Sequence, residues 1–148
     1  MYPSIAQLMG AVAIAPPGKL YGIMPGDSVR VTARIDYKGP ALTDYFYAAI
    51  GEFRGITWPL DIGLFDEIWH ETSSGISFGP STVFETYDLE VDIPITEIGV
   101  FPWTPGWFDI YAKIVNTRVF SPRYNDVIEV LLAPEFQDFA ITDYSKAP

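Results

Sequence analysis

The sequence predicts an all-β fold, a two-sheet antiparallel β-sandwich of about seven to nine strands. Three observations point there. Apolar residues recur with a period of two in several separate stretches, as in strands that turn one face to a core. Glycine or proline interrupts the chain at intervals of about ten residues, the spacing of short strands and turns in sandwiches. No stretch needs a helix of three turns, and no internal repeat or low-complexity segment is visible.

The elements follow in order. Residues 1–19 form an amino-terminal arm in which Ser4–Val12 suits either a short helix capped by Ser4 or an extended segment, closed by Pro16-Pro17-Gly18. Leu20–Met24 is a short strand, and Pro25-Gly26-Asp27 is a tight turn. Within Ser28–Tyr37, Val29, Val31, Ala33, Ile35 and Tyr37 point inward, while Ser28, Arg30, Thr32, Arg34 and Asp36 point outward. Lys38-Gly39-Pro40 breaks that strand. Asp44–Gly51 is apolar on both sides and therefore central. Ile56–Pro59 and Glu67–Thr72 read as edge strands, with Gly55, Gly63, Gly75 and Gly79 as hinges. In Ser81–Ile95, Tyr87, Leu89, Val91, Ile93 and Ile95 alternate with Asp88, Glu90, Asp92 and Pro94, so the strand ends at Pro94 or lies at an edge.

The domain is organised around the next strand. Pro105-Gly106 is a turn signal, after which Phe108, Ile110, Ala112 and Ile114 share one face and Trp107, Asp109, Tyr111 and Lys113 the other. Only the first of these faces is expected in a core. Asp126–Leu132 closes the sandwich with Ile128, Val130 and Leu132 on one face. The domain proper is thus 20–133, and 134–148 is a tail whose Phe136, Phe139, Ile141 and Tyr144 make it too apolar for a solvated linker. The core should be built from Val29, Val31, Ile35, Phe46, Leu89, Val91, Ile93, Phe108, Ile110, Ile114, Ile128 and Val130.

Composition narrows the function. With 148 residues there is room for one domain with a sizeable core, and 49% hydrophobic with 16% aromatic residues is a globular composition. The formal net charge of −10 repels phosphate backbones, which argues against nucleic acid and anionic membranes as partners. Cysteine is absent, which removes disulfides, thiol catalysis and the usual structural zinc sites. No apolar run reaches the roughly 18 residues needed to cross a bilayer as a helix. The most apolar segment, Ile5–Ala15, lacks a basic leader and is interrupted by Gln7, so it reads as neither signal peptide nor anchor. A processed protein or an excised domain would look the same.

Three stretches resemble the immunoglobulin-like sandwich modules of bacterial and archaeal surface proteins, in particular the CARDB or cell-adhesion-related domains. They are Pro25-Gly26-Asp27-Ser28-Val29-Arg30-Val31, then Pro105-Gly106-Trp107-Phe108-Asp109-Ile110-Tyr111, and last Tyr124-Asn125-Asp126-Val127-Ile128-Glu129-Val130. The resemblance covers about residues 20–132. It departs from the family pattern at Asp36-Tyr37-Lys38-Gly39, where an Asn-x-Gly turn is commoner, in the aromatic-rich insertion at 52–80, and in the two terminal extensions. What it implies is an immunoglobulin-like sandwich with a non-catalytic structural or adhesive role. Localisation is left open by the sequence, with an extracellular surface or a virion favoured over the cytoplasm.

The residues themselves offer little chemistry. His70 is the single histidine, so a triad or a two-histidine metal site would rest on it alone, and it reads as an exposed strand histidine. No dinucleotide fingerprint, P-loop or nucleophile elbow is present. The carboxylates Asp61, Asp66, Glu67, Asp88, Glu90, Asp92, Asp109 and Asp126 read as acidic outer faces and not as a calcium cage, which needs six to eight converging oxygens. No catalytic residue, metal site or cofactor is expected. The aromatics are more informative. Trp58, Trp69, Trp103 and Trp107 fall in loops or on outward faces, where tryptophan stacks on sugars, anchors interfaces or roofs a core.

The ends of the chain point the same way. Ile5, Leu8, Met9, Val12 and Ile14 at one end, with Phe136, Phe139 and Ile141 at the other, are an aggregation hazard unless covered. Either arm folds back on its own sandwich or adds to a neighbour, and the neighbour is favoured for at least one. Removing residues 1–18 should then convert an oligomer to a folded monomer. The expected function is a structural or assembly module that contacts copies of itself or other assembly proteins, with Trp58, Trp69, Trp103, Trp107, Ile5, Leu8, Phe136 and Phe139 as interface or ligand candidates. The alternative is a carbohydrate-binding module using exposed tryptophan and tyrosine.

Overall fold

The computed structural model describes residues 17–56, 62–100, 104–134 and 136–148, and among these the fold is all-β. Ten strands follow one another: β1 (Leu20–Ile23), β2 (Ser28–Gly39), β3 (Leu42–Asp44), β4 (Phe46–Ile56), β5 (Ile62–Thr72), β6 (Ile76–Phe78), β7 (Ser81–Pro94), β8 (Trp107–Ile114), β9 (Val119–Phe120) and β10 (Tyr124–Val130). The larger sheet runs β1-β10-β8-β4-β5, with β9 on β8; β2 pairs with β7, and β3 with β6.

The count exceeds the expected seven to nine because β3, β6 and β9 are only two or three residues long and carry no readable period. The expectation of a purely antiparallel sandwich is also corrected. β1 runs parallel to β10, pairing Leu20 with Ile128 and Ile23 with Val130.

Two chain segments stay partnered over most of the molecule. Antiparallel pairing begins at Ser28↔Pro94, passes through Leu42↔Phe78, and ends at Ile56↔Ile62. Residues 28–56 and 62–94 are therefore one long hairpin ribbon, broken at Pro40 and at Gly79-Pro80, then again at Tyr45 and at 73–75. Proline lacks the N–H that would continue a ladder, so the ribbon bends where those residues stand. Its β4–β5 half joins β8 in the larger sheet, and its β2–β7 half folds back as the second layer.

The core lies between those layers. Val29, Leu89, Val91 and Ile93 of the ribbon meet Phe46, Ala48, Ile50, Phe108, Ile110, Ile114, Ile128 and Val130 of the sheet, with Val31 and Ile35 partly buried beside them. All twelve residues named from the sequence belong to this cluster. Pro94 ends β7 as its missing N–H requires, and β4, flanked by β5 and β8, is central as its unbroken Ala48-Ala49-Ile50 demands.

Several strands differ from expectation: β2 continues through Lys38-Gly39 to the break at Pro40, β4 runs past Gly51 to Ile56, and β5 starts at Ile62 instead of Glu67. β10 begins at Tyr124 instead of Asp126 and ends at Val130, because Asp126 sits at φ 53° inside a register shift of the β8–β10 pair. β8 is buried on both faces, not one. Tyr111 on its second face packs with Ala49, Phe65 and Phe120 in a smaller cluster on the outer side of the sheet, where Tyr47 and Phe53 flank it.

Candidate functional site

That outer cluster is where the chemistry-bearing side chains gather. Tyr47 and Tyr111 both donate their phenolic hydrogens to Glu67. Burial first, and then the Glu67 carboxylate, push the Tyr47 pKa well above its ordinary value. Phe65 meets the Tyr111 ring edge-on at 4.9 Å. His70 stacks on Tyr47 with centroids 5.6 Å apart, and the Lys113 ammonium lies 4.8 Å from the centre of the same ring. His70 itself is exposed. Glu67 thus spends its acceptors on two phenols, an arrangement that ties β4, β5 and β8 together.

A one-residue insertion creates this geometry. Ile50 pairs with Trp69, but the next residue, Gly51, pairs with Glu67, so Ile68 is an extra residue in β5. Without it, Glu67 and Trp69 would share a face. With it, Glu67 faces the tyrosines outside while Trp69 enters the main core, 3% exposed, edge-on to Phe108 at 5.1 Å and donating its indole N–H to the Thr96 carbonyl at 3.0 Å. The outward placement of Trp69 is therefore corrected, and it offers no ring to a partner.

Asp109 is a second correction. Placed by alternation on an acidic outer face, it is buried and accepts the backbone N–H groups of Phe53 and Asp126, each at 2.8 Å. Burial raises its pKa, and those two hydrogen bonds and Arg123 only partly oppose the rise. Asp44, fully buried, accepts from the backbone N–H groups of Tyr45, Asn116 and Thr117 and from the Thr117 hydroxyl. Burial alone would raise its pKa, but those four donors outweigh it and hold the carboxyl below its usual range. Nothing in the sequence around Asp44 marked it out.

Three acids of β7, Asp88, Glu90 and Asp92, form an ion-pair ladder with β2. Arg30 contacts Asp92 at 2.9 Å and Glu90 at 3.0 Å, and Arg34 reaches Asp88 at 3.3 Å. The hydrogen bond from Arg30 is the main reason the Asp92 pKa lies below its ordinary value. These side chains are exposed, so the ladder aligns β2 with β7 more than it stabilises them. Among the described residues no group of three or more His, Cys, Asp or Glu side chains is arranged to hold a metal ion, and no helix is long and apolar enough to cross a membrane.

Of the other candidates, Trp58, Trp103, Ile5 and Leu8, together with Asp61, lie outside the described residues. Trp107 is half-buried at the sheet end, with Tyr21 edge-on at 5.2 Å and the Lys19 ammonium 5.1 Å from its ring centre. Phe136 and Phe139 are 91% and 97% exposed, and Ile141 and Tyr144 in the same tail are 83% and 91% exposed. The tail leaves the domain beside a cleft of about 700 Å³ whose walls include Met24, Pro25, Ile98, Leu131 and Leu132. His70, Glu67 and the tyrosines are not part of that cleft.

Compared with known proteins, the chain matches no family model, no curated protein and no solved structure.

Proposed function

We propose that this chain is a non-catalytic structural module, an immunoglobulin-like β-sandwich whose terminal extensions make protein–protein contacts in a surface, filament or virion assembly. The immunoglobulin-like reading is supported by β2–β7 in one layer and β4–β8–β10 in the other, the pairings of strands B–E and C–F–G in such domains.

One observation carries the assembly reading: four large apolar side chains within nine residues of the tail, from Phe136 to Tyr144, are all more than four-fifths exposed. Fully burying a side chain of this size is worth about 1.5 to 3 kcal/mol, so covering the tail recovers several times that. The test is sedimentation equilibrium of the full-length chain beside a Phe136→Ser/Phe139→Ser/Ile141→Ser variant. The parent should associate and the variant should remain a folded monomer. A parent that is monomeric at every concentration, with a protease-resistant tail, removes this reading.

A second reading, carbohydrate binding, has one observation in its favour: Tyr21 is 64% exposed against half-buried Trp107, a small aromatic platform. Lys19 over the Trp107 ring competes with a stacked sugar. A shift of tryptophan fluorescence with a glycan, in a chain that stays monomeric, would favour this reading over assembly.

A further inference from the structure

We infer that the cleft between Met24, Ile98 and Leu131 is the acceptor for the carboxy-terminal tail of a second copy of this chain, the two copies exchanging tails in a closed two-fold dimer. This rests on the assembly reading above and specifies its contact.

Donor and acceptor both expose large apolar side chains, and Glu97 adds a carboxylate to the acceptor wall. Met24 is 53% and Leu131 41% exposed at the cleft, with Ile98 and Leu132 half-buried behind them. The cleft, of about 700 Å³, is open to solvent on one side and has room for a few aromatic side chains. Among the described residues, Phe136, Phe139, Ile141 and Tyr144 are the large apolar side chains more than four-fifths exposed.

The positions of the two features select the symmetry. Pro134 lines the cleft, and Phe136 follows two residues later, so each tail starts at the rim of its own acceptor. In the chain by itself the tail side chains point to solvent instead of filling the cleft. A two-fold axis beside that rim lets each tail cross a short distance into the other copy, and the contact closes on itself. A cleft remote from the tail would instead propagate an open chain.

The area is sufficient. Three aromatic side chains bury about 150 to 250 Å² each, so two tails bring roughly 900 to 1,500 Å² to the contact, near the lower end of the size of a specific interface. Each copy carries a formal charge of −10, so association is driven by apolar burial against mutual repulsion, and added salt should tighten the dimer.

The test uses the full chain, which has no cysteine of its own. Met24→Glu and Phe139→Ser alter exposed side chains and should leave the melting curve unchanged while each weakens the dimer by about thirtyfold or more, the effect of losing an interface anchor. Mixing Met24→Cys chains with Phe139→Cys chains under mild oxidation should give a disulfide joining one of each. If Phe139→Ser dissociates the dimer but Met24→Glu does not, the tail binds elsewhere: the cleft assignment falls and the assembly reading stands. If Ile5→Ser/Leu8→Ser dissociates it and Phe139→Ser does not, the amino-terminal arm makes the contact and the inference falls. A doubly substituted chain that closes its disulfide only within monomers assigns the cleft to its own tail, and a monomeric parent overturns both readings.

Discussion

At the scale of single residues, the two buried carboxylates pull the acid stability of the domain in opposite directions. Asp44 has a folded-state pKa below that of the unfolded chain, so its contribution is present above about pH 4 and is lost as the pH falls through the lowered value. Asp109 has a raised pKa, so its contribution is complete below about pH 4 and is lost as the pH rises through the raised value. Asp44→Asn keeps one acceptor and sets an amide donor against backbone N–H groups. It should cost about 2 to 4 kcal/mol at pH 7. Urea midpoints measured from neutral to strongly acid pH should show that deficit shrinking below about pH 4. Asp109→Asn should be less stable than the parent but flatter just above that pH. A deficit for Asp44→Asn that stays constant across the range would show that charge is not what Asp44 contributes. Neither role was legible in the sequence. Asp44 follows Leu42-Thr43 with no pattern to mark it, and Asp109 alternates with apolar residues as any solvated strand residue does.

At the scale of an element, the extra residue in β5 decides what could be read and what could not. Strict alternation carries the reading of β2 and β7 from Val29 to Tyr37 and from Tyr87 to Ile93, because their pairing proceeds without a shift over that span. The same rule fails at Glu67-Ile68-Trp69, where the bulge inverts the faces and takes Trp69 from the outside to the core. A bulge has no sequence signature of its own, but its partner does. A Cβ at Gly51 would stand 1.9 Å from the Asp66 carbonyl oxygen, so only glycine lets the bulged backbone approach that closely. Gly51→Ala should therefore destabilise the domain by about 3 kcal/mol or more, with rearranged β5 amide shifts in the NMR spectrum. If the denaturation midpoint barely moves, the close approach of β4 and β5 is not required. The tyrosine pair on Glu67 escaped notice for the same reason: it forms only once the bulge has turned that carboxylate outward.

For the molecule as a whole, the layers and their core were legible because each layer contributes long alternating strands, and burial follows alternation. Ile110, 9% exposed between the layers, tests this. Ile110→Asp places an unpaired charge there, a cost of several kcal/mol against a total stability of about 5 to 15, and should abolish the folded circular dichroism and NMR signatures. A variant that melts like its parent would mean that the inner face is misassigned. The partner proposed for the tail was not legible, since apolar residues outside a period name no neighbour. The successive ladders from Ser28↔Pro94 through Leu42↔Phe78 to Ile56↔Ile62 have a kinetic meaning as well. Once the chain has closed near Ile56 and Ile62, each further pair forms beside one already made and adds little loop-closure entropy. Ile50↔Ile110, by contrast, joins residues far apart in sequence and must wait for a longer search. The ribbon should zip outward from its β4–β5 end and fold over before β8 and β10 dock. Pulsed hydrogen exchange during refolding should protect β4–β5 amides ahead of those in β8–β10, and simultaneous protection would mean that the two layers form together.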